Sequence, residues 1–422
     1  MKKNLFKLLA GFVLLLVAAY VGIYSYSKFY QNGDEEDVVR HYMTDIPIEP
    51  SQFKEDFDDI HRQVVKHYKL FKQKGISMDS LYNVFAEKLK NEVKTKTDYS
   101  RMLMEYFASL NSGNCYAYFK EYTANFCPTL IDGRVFVNTL NDYLRDNGFR
   151  EKDEIVSIDG IKTKDWIETN RKYFSGSTPE AKTFNTAMNV FNNPIDSVRI
   201  YTVKRDNDTL TLCLPLKKSE YFGVAPGLYP VEYKQLNASV GYIAINSMKD
   251  ESVELFDSAY NKVKKLPFLI IDIRRNCTGS SENGIKICQS LLKNEQPHCM
   301  NKKTIMTPNP NTYKGKLFLL IDTYTYGAAE CFAIDLLESG NVTLVGKTTG
   351  GDAVNSIRTY CSRHGIYFRL PTTHSQKKSP KDFQMEGIGI KPHYMVEQNV
   401  IDFLDDRDTQ LNYILNWLGG DD

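Results

Sequence analysis

Little in this chain points toward metal, nucleotide or nucleic-acid chemistry. It has no Cys-x-x-Cys pair, and its seven histidines (His41, His61, His67, His298, His364, His374, His393) are scattered. Zinc sites draw their ligands from short, fixed spacings, whereas His61 and His67 fall off the i, i+4 spacing of one helix face. No metal site is expected. Eight cysteines in 422 residues are too dilute for a disulfide scaffold. Cys115 with Cys127, or Cys288 with Cys299, are candidates for local pairs, and buried free thiols are the alternative. Gly350-Gly351 lacks the lysine and hydroxyl of a phosphate loop, so no cofactor is implied. Fifty-three Lys and Arg against 52 Asp and Glu leave a net charge of +1, which excludes a global field for nucleic acid. Internal repeats and low-complexity runs are also missing.

Long apolar runs are scarce too, with one exception near the start. Lys2, Lys3 and Lys7 precede an uncharged run from Leu8 to Tyr24, close to the lower limit of about 17 to 25 residues for a membrane-spanning helix. Aromatic residues at its end (Tyr20, Tyr24, Tyr26, Phe29, Tyr30) favour a retained anchor over a cleaved signal, with the lysines on the cytoplasmic side. Residues 1–30 are therefore expected to hold the protein at the inner (cytoplasmic) membrane. Its body would be exported to the periplasm or cell exterior.

Past a polar stalk (Gln31 to Asp37), three regions follow. Residues 34–125 read as a helical domain, opening with Phe53, Phe57, Ile60, Val64, Val65, Tyr68 and Phe71 at helical spacing and breaking at Gly75. Helices are expected next over Asp79–Val93 and Tyr99–Leu110, the latter capped by Asp98. Residues 126–218 carry short alternating strands. Their string Asp153-Glu154-Ile155-Val156-Ser157-Ile158-Asp159-Gly160 resembles a strand and turn of PDZ domains, which capture a peptide C-terminus at a sheet edge. Asp132-Gly133-Arg134-Val135-Phe136 is the nearest candidate for their carboxylate loop, and Trp166–Asn192 reads as a helical insertion broken at Gly176-Ser177-Thr178-Pro179. Residues 219–418 alternate strand and helix, the signature of a mostly parallel sheet covered by helices. A hairpin turning at Ser362-Arg363-His364 and a last helix from Asp402 to Leu418 complete that domain.

The most informative segment runs from Lys316 to Glu330: an apolar strand, then Asp322-Thr323-Tyr324-Thr325-Tyr326-Gly327-Ala328-Ala329-Glu330 and an apolar helix. A sharp strand-to-helix turn suits a nucleophile, because the helix N-terminus offers free N–H groups and a positive dipole end. The segment resembles the active-site turn of the C-terminal processing (tail-specific) serine peptidases, in their tricorn-like branch, whose pattern is Ser-Ala-Ser-Glu or Ser-Ala-Ala-Glu. Gly327 stands where that serine stands.

Three further landmarks match this family in the same order. Leu269-Ile270-Ile271-Asp272-Ile273-Arg274-Arg275-Asn276-Cys277-Thr278-Gly279-Ser280 is similar to the strand and glycine-rich loop that helps form the oxyanion hole. Here Cys277 and Thr278 replace two glycines. Their Cβ atoms are expected to resist positive φ and to deform the hole; Gly279 and Ala328 are assigned to the same cleft. Val345-Gly346-Lys347-Thr348-Thr349-Gly350-Gly351 is followed by Asp352, where the branch with a Ser-Lys dyad has its lysine. An aspartate cannot be that base, and Lys347 reads as a surface residue. The tricorn-like branch has a histidine late in its helical domain. Leu110-Asn111-Ser112-Gly113-Asn114-Cys115 places Asn114 there, and an amide accepts no proton near neutral pH. Glu386-Gly387-Ile388-Gly389-Ile390-Lys391-Pro392-His393 retains the family's glutamate as Glu386, whereas Glu330 reads as structural.

The resemblance implies an α/β fold with a crotonase/ClpP-like core, an N-terminal helical domain and a PDZ-like β-rich domain. In function it implies a serine-type peptidase frame that has lost its nucleophile (Gly327) and base (Asn114). The expected protein is a pseudopeptidase that holds polypeptide segments or C-terminal peptides without cutting them. The alternative is an active endopeptidase cutting near polypeptide C-termini, with Cys277 as a relocated nucleophile served by a nearby histidine.

Overall fold

The computed structural model describes residues 45–218, 229–352, 357–372 and 386–419. The anchor and stalk expected from residues 1–30 and 31–37 lie outside these residues. Among the described residues no helix is long and apolar enough to cross a membrane.

Phe53–His67 forms the first long helix, and its buried residues Phe53, Phe57, Ile60 and Val64 lie on one face. It stops at His67, short of Phe71, because Tyr68 turns to an extended ψ. The next helices span Met78–Asn91 and Lys96–Ala108. Asp98 is not the N-cap of the latter. Thr95 is, accepting from the Asp98 N–H at 3.1 Å, while Asp98 returns the bond to the Thr95 N–H at 2.9 Å. The reciprocal pair is a capping box.

The β-rich module is an antiparallel sheet in the order Thr129–Ile131, Arg134–Phe136, Glu154–Ile158, Val198–Arg205 and Asp208–Pro215. Helices Thr163–Asn170 and Pro179–Met188 accompany it. Asp132-Gly133 does not form a carboxylate-binding loop. Both residues have positive φ (50° and 69°), and Ile131 pairs with Arg134 directly across them, so they make a tight two-residue hairpin turn.

The third region is built on a six-stranded sheet. Its order is Val231–Gln235, Val240–Ile245, Phe268–Asp272, Lys316–Ile321, Val342–Gly346 and Tyr394–Met395, parallel from the second strand onward. Helices Asp250–Val263, Ser281–Gln289 and Ala328–Glu338 pack in the large core on one face. Thr409–Gly419 covers the other face through Ile414 against Ile270, Phe318 and Leu320. The expected final helix is two, Val400–Leu404 and Thr409–Gly419, divided where Asp406 takes φ 57°.

The sequence-based boundaries miss one exchange between regions. The hairpin Ile357–Cys361 and Tyr367–Pro371 does not extend the α/β sheet; Tyr367–Pro371 pairs with Tyr116–Ala117 at the end of the helical domain. Its Ile366, Phe368 and Leu370 are buried in the core formed by Phe57, Leu103 and Phe107. All eight cysteines are free thiols, so neither proposed local pair forms.

Candidate active site

The strand Lys316–Ile321 feeds a short turn whose last residue, Gly327, is the N-cap of the helix Ala328–Glu338. Gly327 has φ +66° and ψ −123°, a conformation that costs any residue with a Cβ about 1 to 3 kcal/mol. A Cβ added there would nevertheless meet nothing within 4 Å. The backbone of a nucleophile elbow is intact, with open space where a side chain would project.

Three hydrogen bonds from two neighbouring loops clamp this turn. The Thr325 hydroxyl donates to the Ile273 carbonyl at 2.9 Å, the Tyr326 N–H to the Asn276 carbonyl at 3.2 Å, and the Gly350 N–H to the Thr325 carbonyl at 3.0 Å. The loop after Phe268–Asp272 is correspondingly ordered. Its positive φ angles fall at Arg275 (66°) and Gly279 (102°), not at Cys277 or Thr278, so those two side chains do not oppose the loop's conformation. The expected deformation is therefore not found. Gly279 is required for another reason: a Cβ there would lie 2.0 Å from the Met248 carbonyl carbon.

A cleft of about 1460 Å³ opens before the turn, lined among others by Asn114, Tyr116, Phe184, Cys277, Tyr324 and Tyr326. Cys277 faces the Tyr324 and Tyr326 hydroxyls, both held well above the ordinary phenol range. The Cys277 charge and burial do this to Tyr324, and burial and then Cys277 do it to Tyr326. Protonated phenols supply no base to the thiol. No described histidine lines this cleft. His298 bonds Asp335 at 2.7 Å, the His393 Nδ1 accepts from the Leu344 N–H at 2.9 Å, and His364 lies 3.6 Å from Glu55. His41 and His374 lie outside the described residues. Arg274 is engaged by Asp272 and Asp408, each at 2.6 Å. Lys347 is on the surface, paired with Glu397 at 3.1 Å.

The base side of the site has been rebuilt. Asn114 is buried, and its amide donates to Asp352 Oδ2 at 2.5 Å. Asp352, itself buried, also accepts from the Ser112 hydroxyl at 3.0 Å and the Ser177 hydroxyl at 2.9 Å. Glu386 does not contact Asn114. Its Oε1 pairs with the Lys74 ammonium and lies 3.2 Å from the Ser177 hydroxyl, while Oε2 is buried with no hydrogen-bond partner. Glu330 joins this corner to the turn. One helical turn past Gly327, it accepts from the Thr349 hydroxyl and from the N–H groups of Gly351 and Asp352, the latter two at 2.8 Å.

Three buried carboxyls, two of them beside Lys74, cannot all ionise cheaply. Burial pushes Glu330 up to about 7 against the opposing hydrogen bonds from Thr349, Gly351 and Asp352. Burial, then the Asp352 charge, pushes Glu386 up to about 8 despite Lys74. Burial also raises Asp352. Burial thus favours the protonated form of the carboxyls in this corner.

Sequence reasoning named Gly327, Asn114, Cys277, Gly279, Ala328 and Glu386; of these Asn114 and Cys277 line the cleft, and Asn114 connects to the Gly327 turn through Asp352 and Glu330. It missed Lys74 and Ser177. Ser177 sits in a loop legible only as a helix break, and Lys74 in a turn of ordinary surface composition. No local signal marks either residue.

A strand-to-helix elbow beside an oxyanion-type loop, facing a cleft lined from all three regions, defines the frame of a serine hydrolase with glycine at the nucleophile position. The chain is similar to the C-terminal processing peptidases of family S41. Residues 239–396 match Peptidase family S41, residues 130–216 match the Bacteroidetes S41 peptidase N-terminal domain, and residues 50–108 match the Tricorn protease C1 domain. Over 277 residues the chain is 25% identical to the carboxyl-terminal-processing protease of Picosynechococcus sp., covering 63% of this chain and 61% of that protein. Over 212 residues it is 24% identical to the carboxy-terminal processing protease CtpB of Bacillus subtilis, covering 48% and 40%. The matched region is thus under two thirds of either relative's length. Among solved structures, mature CPAF complexed with lactacystin superposes with a TM-score of 0.73 at 14% identity, covering 88% of this chain and 99% of that one. A putative peptidase from Parabacteroides merdae gives a TM-score of 0.52 at 15% identity, covering 88% and 97%. These likenesses establish the fold.

Proposed function

We propose that this protein is a non-catalytic member of its family that holds unstructured polypeptide in the cleft before Gly327. The observation that carries this reading is the pairing of a glycine at the elbow with an asparagine at the base, the latter tied to Asp352. Acyl transfer to water needs a nucleophile and a group to take its proton, and residues of such a unit fail together. The aromatic wall of Tyr116, Phe184, Tyr324 and Tyr326 supports peptide binding. Because Asp132-Gly133 is a tight turn, recognition is assigned to extended main chain and side chains rather than to a free C-terminal carboxylate. Tethering through residues 8–24 and export of the body remain part of the proposal on the sequence pattern alone.

The test compares the unmodified protein with a Gly327→Ser, Asn114→His double variant. Both are incubated with unstructured peptides and a fluorophosphonate probe. The unmodified protein is expected to bind peptides stoichiometrically, free or amidated at the C-terminus, without cleavage or labelling. Cleavage that survives Cys277→Ala and iodoacetamide would overturn the reading. Cleavage abolished by those treatments would establish the relocated cysteine instead.

A further inference from the structure

A second cluster lies behind the elbow helix, away from the cleft. Gln296–His298 and Asn301–Met306 form a short hairpin whose register shifts between Pro297 and His298. The tip turns His298 and Cys299 inward, and both are buried. They meet Cys331 and Asp335, buried one turn apart on the Ala328–Glu338 helix and therefore on the same face. One ligand atom from each of His298, Cys299 and Cys331 lies within 4.8 Å of the other two. Cys299 Sγ is 3.9 Å from His298 Nδ1, which is 2.7 Å from Asp335 Oδ2. Asp335 is oriented by the Cys299 N–H, donating to its Oδ1 at 2.8 Å, and its carbonyl accepts from the Gln296 side chain at 2.7 Å.

The simple alternative is two hydrophobic thiols beside a satisfied His–Asp pair. That reading accounts for each residue separately but not for their convergence. The surrounding core is aliphatic, including Leu291, Leu292, Met306 and Ile334. An imidazole and a carboxylate in such a core cost desolvation that aliphatic side chains would avoid. The imidazole and the two sulfurs make a Cys₂-His set, three donors of the zinc class, with Asp335 bonded to the imidazole beside them. Metal–sulfur bonds of about 2.3 Å and metal–nitrogen bonds of about 2.0 to 2.1 Å in a tetrahedron separate the ligand atoms by roughly 3.5 to 3.8 Å. The observed 3.9 Å is close to that edge.

We propose that His298, Cys299 and Cys331 form a structural site for a thiophilic divalent cation of the zinc class, with Asp335 holding the imidazole, pinning the 296–306 hairpin to the elbow helix. Binding removes one proton from each thiol. Because each thiol gives up its proton on binding, affinity rises with pH.

The test uses the full chain, purified reduced, with Co²⁺ as the probe and Zn²⁺ as competitor. One equivalent of Co²⁺ should give a thiolate-to-cobalt charge-transfer band and tetrahedral visible bands, both abolished by one equivalent of Zn²⁺. Cys331→Ser and His298→Gln should each weaken Co²⁺ binding at least 10-fold, while Cys288→Ser, in the same core, leaves it unchanged. X-ray absorption at the zinc edge of the unmodified protein should report two sulfur ligands, an outcome that does not depend on any variant folding. No thiolate band, fewer than two sulfurs, or a Cys299–Cys331 disulfide in protein alkylated without reductant would overturn the site.

Discussion

The elbow at Gly327 and the corner at Asn114 are two halves of one family site, and they differ in how each departs from it. At the elbow only a side chain is missing, for the backbone keeps φ +66° and the space ahead is open. At the corner the vacancy has been filled: Asn114, Asp352, Ser112, Ser177, Glu386 and Lys74 bond one another. A missing atom can be restored by one substitution. A rebuilt network resists reversal because each new partner depends on the others. The lesson is that one half of a site can stay open to a single substitution while the other is committed to a network of mutual contacts.

The comparison can be broken most severely at Glu330, which belongs to both halves. Glu330→Ala strands the Thr349 hydroxyl and two N–H groups in the core, and a loss of about 4 kcal/mol in urea unfolding is expected. A loss below about 1 kcal/mol would mean that the corner and the elbow are independent. Next is Lys74→Met, which leaves Glu386 and Asp352 without their cation. It should lower stability by about 3 kcal/mol at pH 8 and by clearly less at pH 5, where Glu386 is protonated.

The same carboxyls set the pH dependence of the unmodified protein. Glu330 and Glu386 hold protons more tightly folded than unfolded, so their contribution is complete below the ordinary value of 4.5 and disappears as pH rises through about 7 and 8. Melting temperature should therefore fall from pH 5 to pH 8.5, and Glu386→Gln should flatten that slope. A melting temperature that rises over this interval would contradict protonated carboxyls in the corner. Gly327→Ser sharpens the other half: backbone strain without a clash predicts a loss of about 1 to 2 kcal/mol and no peptidase activity by itself. Lys347→Ala, removing an exposed ion pair, should change stability by about 0.5 kcal/mol or less.

Much of the frame was legible because it rests on local patterns. The apolar strands at Phe268 and Leu317, the turn into Ala328 and the 3.6-residue spacing from Phe53 to Val64 each announce their element. Gly327 and Asn114 were legible as departures from a pattern. The corner was not, because Lys74, Ser177, Asp352 and Glu386 come from four distant segments and meet only through tertiary packing. His298, Cys299 and Cys331 escaped notice for the same reason: two neighbours on a hairpin and a third residue on a helix show no recognisable ligand spacing. The Thr95 cap was passed over for Asp98 because the two make one reciprocal motif, and sequence alone does not say which end of it begins the helix.

The hairpin at 357–371 ties the order of chain synthesis to the order of folding. Ile366, Phe368 and Leu370 complete the hydrophobic interior of a domain whose helices begin at Phe53. A ribosome must therefore add some three hundred further residues before that interior can close, although domains generally fold as units as they emerge. The first helices to emerge wait with part of their apolar face uncovered. Nascent chains halted before residue 366 should accordingly leave the helical domain open to protease, and chains released after 372 should protect it.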